Sequence, residues 1–173
     1  FSVESENCLR TFSKHYGPVV AVAFSPDSST VVSGSTDENL KLWKNTCVRE
    51  FSEHTAPINT VSFSPDGTVI LSSAGDWTAK VWSVETGSRL KTLFWATCIL
   101  CAAFAPDGRS IWSGSKDGSV KVWSTADSGV FSSSYNTESH SIRTNGNGDP
   151  PNLSATAVTS SDLCALAFGS YDD

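Results

Sequence analysis

The stretch at residues 58–82, INTVSFSPDGTVILSSAGDWTAKVW, decides the fold. It recurs, upstream as VVAVAFSPDSSTVVSGSTDENLKLW (19–43) and downstream as LCAAFAPDGRSIWSGSKDGSVKVW (100–123). Phe24, Phe63 and Phe104 stand 39 and 41 residues apart, and Asp37, Asp76, Asp117 and Trp43, Trp82, Trp123 keep the same two spacings. Three landmarks holding one register across three copies mark an internal repeat of about 40 residues, the length of one supersecondary unit.

Each copy reads as short antiparallel strands. Val20, Val22 and Phe24 alternate with Ala21 and Ala23 in the two-residue period of a strand. Turns follow at SPDS, SPDG and APDG: Pro fixes φ, Asp bonds the backbone, and Gly supplies a left-handed residue. Ser28 replaces that Gly in the first copy, at a cost of about 1 kcal/mol if φ is positive there. A second strand (31–35), an Asp turn and a third strand (40–43) come next, then a more polar fourth, CVREF at 47–51 and RLKTL at 89–93. Its charge suits an outer edge. Four strands per unit of this length describe a propeller blade.

On these residues the chain resembles the WD-repeat family, strongly from residue 15 to about 131. Lys-Leu-Trp and two copies of Lys-Val-Trp stand where that family has Trp-Asp, and the final Asp is replaced by Lys44, Ser83 and Ser124. The resemblance implies an all-β fold, a partial β-propeller of four-stranded blades, and an arc of a ring that closes with about seven. It also implies a buried hydrogen-bonded chain in each blade: His15, Ser33, Asp37 and Trp43 in the first, His54, Ser72, Asp76 and Trp82 in the second. Such a chain satisfies its buried polar groups and pins the blade. A hydrolase reading of Ser, His and Asp fails, because the set recurs with the repeat and its Ser lies inside a strand. The third copy keeps Ser113, Asp117 and Trp123, but Trp95 stands where the His belongs, nine residues before Phe104.

Trp77 is the anomaly, a tryptophan directly after the turn Asp76, where the other copies have Glu38 and Gly118. In the resembling family that turn opens on the narrower top face, where partners dock, and the loop carrying Trp95 opens on the same face. Positions that face partners in the family match here to Pro57, Asn59 and Gly75 in the second copy and Cys98, Leu100 and Lys116 in the third. Trp77 and Trp95 are therefore the candidate core of a docking patch, the alternative being that Trp77 folds over a neighbouring loop and covers it. A methyl-lysine cage is a rival use, with Glu53 and Asp76 as its acids. Trp112, in line with Val32 and Leu71, is expected between blades.

The division expected along the chain is an outer strand of a preceding blade (1–14), repeats at 15–53, 54–94 and 95–131, a Ser/Thr/Asn/Pro-rich flexible insertion (132–157), and the first strand of an incomplete repeat (158–173). NCLRTFS (7–13) matches TCVREFS (46–52), and DLCALAF (162–168) resembles ILCAAF (99–104). A chain without Met whose ends fall mid-blade is expected to be part of a longer one, with further blades as partners.

Composition narrows the function. A net charge of −6 and a pI near 4.9 give no basic footprint for nucleic acid or an anionic membrane. Apolar runs fall well short of the roughly 20 residues that span a bilayer. Five cysteines and no signal sequence favour reduced thiols and an intracellular, cytoplasmic or nuclear location. Cys98 and Cys101 form a C-x-x-C inside a strand with no second ligand pair, so small core residues are expected rather than a metal site. No cofactor or nucleophile motif is expected. The function expected is a non-catalytic scaffold or adaptor that binds proteins or peptides. The alternatives are a modified-peptide reader and the interaction module of a larger enzyme or signalling protein.

Overall fold

The computed structural model describes residues 8 and 10–125 and, as backbone, two strands at Leu153–Ser160 and Leu163–Ser170. Three antiparallel sheets follow one another. Strands β1 (Val19–Phe24), β2 (Val31–Ser35), β3 (Leu40–Trp43) and β4 (Cys47–Phe51) form the first, in chain order. The second is β5 (Ile58–Phe63), β6 (Val69–Ala74), β7 (Thr78–Ser83) and β8 (Arg89–Phe94). The third holds β9 (Ile99–Phe104), β10 (Ser110–Ser115) and β11 (Val120–Ser124). Every strand pairs with its neighbour in sequence, the shortest connection a sheet allows. The described residues contain no helix, and the sheets are the open blades of a partial propeller.

Turn chemistry sets the register. Asp27 Oδ1 accepts from the Ser25 hydroxyl (2.6 Å) and the Ser29 amide (3.0 Å), which closes the turn between β1 and β2. These donors hold the Asp27 carboxyl at about 2. Ser28 has φ +57° where Gly67 and Gly108 have +72° and +69° in the other blades, so the serine bears the cost that glycine avoids. Each first strand also carries a bulge at one repeat position, at Val20, Asn59 and Leu100.

Blades pack through one repeated junction. On the first blade Val32, Leu40 and Leu42 meet Ile58, Val61 and Phe63 of the second. On the second, Leu71, Ala79 and Val81 meet Ile99, Ala102 and Phe104 of the third. Burial on both sides is what lets these strands be near-continuously apolar. Gly34 sits inside the first junction, where a Cβ would lie 2.5 Å from Ile58 Cγ2, closer than packed atoms come.

Three sequence expectations are corrected. Residues 10–14 are irregular rather than a strand, since no strand of their own sheet lies beside them among the described residues. They still pack as an outer strand would: Phe12 lies 5.0 Å from Trp43, as Phe51 lies 5.4 Å from Trp82. Trp112 is 40% exposed, not enclosed between blades, because no described blade covers its side of the third sheet. The expected insertion at 132–157 lies outside the described residues as far as 152, and its last five residues belong to β12 (Leu153–Ser160), which pairs with β13 (Leu163–Ser170).

Candidate functional site: the upper ends of the blades

Call upper the end where β1, β5 and β9 begin. There, in each blade, the loop entering the first strand meets the turn between the second and third. In the second blade Trp82 Nε1 donates to Ser72 Oγ (2.8 Å) and Ser72 Oγ bonds His54 Nε2 (2.8 Å). His54 Nδ1 then donates to Asp76 Oδ2 (2.7 Å). Because a carboxylate only accepts, the protons run one way along the chain, from indole to hydroxyl to imidazole to carboxylate. The first blade repeats it: Trp43 to Ser33 (2.8 Å), Ser33 to His15 (2.7 Å), His15 to Asp37 (2.9 Å).

The charges follow from this setting. Burial pushes the His54 imidazole below its ordinary value, against the raising pull of Asp76. Burial also pulls the Asp76 carboxyl up, but hydrogen bonds from Thr78 and His54 outweigh it and hold it below the usual carboxylate range. Both carboxylate oxygens of Asp76 are engaged. Oδ2 takes His54 and the Thr55 amide, while Oδ1 takes the Thr78 amide (3.0 Å) and hydroxyl (2.7 Å). The Ser72 hydroxyl is fully buried and engaged on both sides, so the constellation ties the blade together.

The third blade is built differently. Trp95 occupies the histidine's place, buried, with its ring centroid 5.4 Å from that of Trp123. Its Nε1 is buried without a hydrogen-bond partner, and the Lys121 ammonium sits 4.1 Å from its ring centre. Trp123 still donates to Ser113 (2.8 Å). Asp117 Oδ1 holds only its own turn, through the Ser119 amide (2.9 Å) and hydroxyl (2.6 Å). Trp95 is therefore not a surface residue, contrary to the expectation that it would share a docking patch with Trp77. A large ring in the histidine's slot has nowhere to go but onto the neighbouring indole.

Trp77 does face solvent. It is 55% exposed, and its backbone is left-handed, with φ +65°. Glu38 (+69°) and Gly118 (+80°) share that conformation, since the preceding Asp bonds the amide two residues on and forces the turn. A tryptophan held there costs about 1–2 kcal/mol relative to glycine. The Trp77 carbonyl accepts from the Trp95 amide (3.0 Å), so its turn is anchored to the start of the third blade.

The remaining expected partner-facing residues divide by exposure. Pro57 and Lys116 are exposed on the upper loops, whereas Gly75, Asn59, Cys98 and Leu100 are half-buried. Asn59 is spent on the blade junction, its Nδ2 donating to Ile99 O (2.7 Å) and toward Cys98 Sγ (3.5 Å). Cys98 and Cys101 are free thiols, and burial pushes the Cys101 thiol up. The two acids of the supposed methyl-lysine cage are both engaged, Asp76 as above and Glu53 with Arg89 (2.9 Å). Sequence reasoning missed Tyr16, which is 93% exposed where the first blade's upper loop enters β1, its amide bonded to Asp37 (2.8 Å). Its place directly after His15 was the available signal.

Comparison with known proteins agrees with this geometry. The family described as "WD domain, G-beta repeat" matches residues 6–44, 45–83 and 87–124, together more than half of the chain. The chain belongs to the WD-repeat family. Proteins of this family are generally non-catalytic modules that bind other proteins. One curated relative is the serine-threonine kinase receptor-associated protein of Gallus gallus, 45% identical over 38 residues. That match covers 22% of this chain and 11% of the relative, so the chain spans a small part of the relative's length.

Proposed function

We propose that this WD-repeat chain is a scaffold or adaptor whose partner docks on the upper ends of the first and second blades, with Trp77 as the central anchor. One observation carries the reading: an exposed tryptophan held in a left-handed conformation that the fold fills elsewhere with Glu or Gly. Backbone strain at a side chain left 55% exposed points to use, and tryptophan is enriched among the residues that dominate interface energies. Tyr16 and Pro57, exposed on the same two blades, supply further contact. The relative named above is described as receptor-associated, which agrees with an adaptor role. Four described cysteines are free thiols, which suits a reducing intracellular compartment.

The test is site-directed photo-crosslinking, with the crosslinking amino acid placed at position 77 or, as a control, at Asp107 on the opposite ends of the blades. Protein adducts from position 77 and none from 107 are expected. Adducts from 107 alone would overturn the assignment.

A further inference from the structure

Each third strand carries a lysine two residues before its tryptophan: Lys41, Lys80 and Lys121. Lys41 is 2% exposed and stands opposite Glu50 in the β3–β4 register, where its Nζ donates to Glu50 Oε2 (2.5 Å). Both residues line a cleft of about 390 Å³ together with Ser13, Lys14, His15 and Tyr16. Lys121 lies against the Trp95 ring. Lys80 has neither kind of partner. The residue opposite it is Thr92, whose hydroxyl is itself buried without a hydrogen bond. Lys80 is 6% exposed, yet among the described residues its amine makes no ion pair or hydrogen bond.

The acids near Lys80 are committed elsewhere. Asp76 accepts from His54, Thr55 and Thr78, and Glu53 is paired with Arg89 (2.9 Å). Burial pulls the Lys80 ammonium below its ordinary value, against the raising pull of Asp76 and Glu53. A buried ammonium without a hydrogen-bonded counter-ion is a costly arrangement that an incoming acceptor relieves. The surroundings say from where it would come. Trp77 directly precedes β7, and Phe94, opposite Thr78, is 72% exposed. Lys80 and Thr92 are the next pair on that face of the sheet, two residues further along each strand. The unpaired amine thus lies one step from two exposed aromatic residues.

We propose that the partner docked beside Trp77 brings an aspartate or glutamate side chain to Lys80, and that this carboxylate takes the place Glu50 holds in the first blade. The inference rests on the docking reading above and names the group the partner supplies. One carboxylate suits the site better than a phosphate. The first blade balances the same lysine with a single carboxylate, and Glu53 and Asp76 would repel a second negative charge.

Three tripeptides serve as probes in NMR titrations of the 173-residue chain: acetyl-Phe-Asp-Phe-amide, its Asn analogue, and acetyl-Phe-Asn-Phe with a free C-terminal carboxylate. Signals of the Trp77 indole and the Lys80 side chain are followed together. The Asp probe is expected to shift both and to bind about tenfold more tightly than the Asn probe, the size of a charge-assisted hydrogen bond. Lys80→Met and Thr92→Glu are each expected to abolish that preference while staying folded in circular dichroism. The first removes the amine; the second supplies an internal partner like Glu50. Equal binding of the Asp and Asn probes, with Trp77 shifting, overturns the carboxylate and leaves the docking reading standing. A Lys80 shift with Trp77 unmoved overturns the docking reading, and the proposal with it. Preference for the free C-terminus, a Thr92→Glu variant that keeps the Asp preference, or binding by none of the probes also overturns the proposal.

Discussion

The second and third blades share an indole donating to a strand serine and differ in what stands behind it. In the second blade His54 carries the hydrogen bond on to Asp76, so the upper turn is tied to the sheet by a directional chain. In the third Trp95 fills the slot with apolar area, and Asp117 serves only its own turn. One slot thus accepts a polar link or an apolar wedge. The link ties the turn to the sheet through the histidine; the wedge packs against the neighbouring indole and gives the turn no such tie. That distinction matters for function, because the turn the link positions is the one carrying Trp77.

The largest effect that tests this contrast is removal of the wedge. Trp95→Ala is expected to cost about 3–5 kcal/mol, as for other buried aromatics, read by urea unfolding. A cost typical of a surface substitution would show that the ring is not core. Breaking the link comes next. His54→Ala strands Asp76 and Ser72 in a buried setting and is expected to cost about 2 kcal/mol. Amide exchange should also quicken at Thr78 and not at Ser119. Equal quickening in both turns would erase the comparison.

Acid should separate the blades as well. The folded His54 lies below its ordinary value, so the unfolded chain binds the proton first and stability falls as pH drops below about 6.5. Asp76, held low, keeps its contribution until the pH falls further, through the carboxylate range. The third blade has no histidine in this slot. Hydrogen exchange at pH 7 and pH 5 should therefore show the upper turn of the second blade loosening while that of the third changes little. Among the smaller effects, Ser28→Gly should stabilise the chain by about 0.5–1 kcal/mol in the same urea experiment, by relieving the left-handed serine.

Much of this was legible in the sequence because the repeat exposes it three times. The register of Phe, Asp and Trp fixed which residues are equivalent, and the strand bounds followed from the turn residues between them. What stayed hidden was whatever one copy does alone. The loss of histidine at Trp95 is visible in the letters, but its direction is not: a tryptophan in an upper loop reads as surface until the neighbouring indole is seen to receive it. Trp112 misled for the opposite reason. Its position is core in the other copies only because another blade covers it, and coverage is a property of the neighbour. Asn59 looked like a contact residue, yet its amide is spent on Ile99 of the next blade, a pairing between residues 40 apart that no local pattern announces.

On the proposed function, Trp77 is kept at a conformational cost because it binds a partner. The direct measurement is the pair of free energies for Trp77→Gly: unfolding in urea, and binding by calorimetry to a partner crosslinked from position 77. Opposite signs are expected, with stability raised by about 1 kcal/mol and affinity lowered more than tenfold. A variant that loses stability and binds as before would show that Trp77 serves the fold and not a partner.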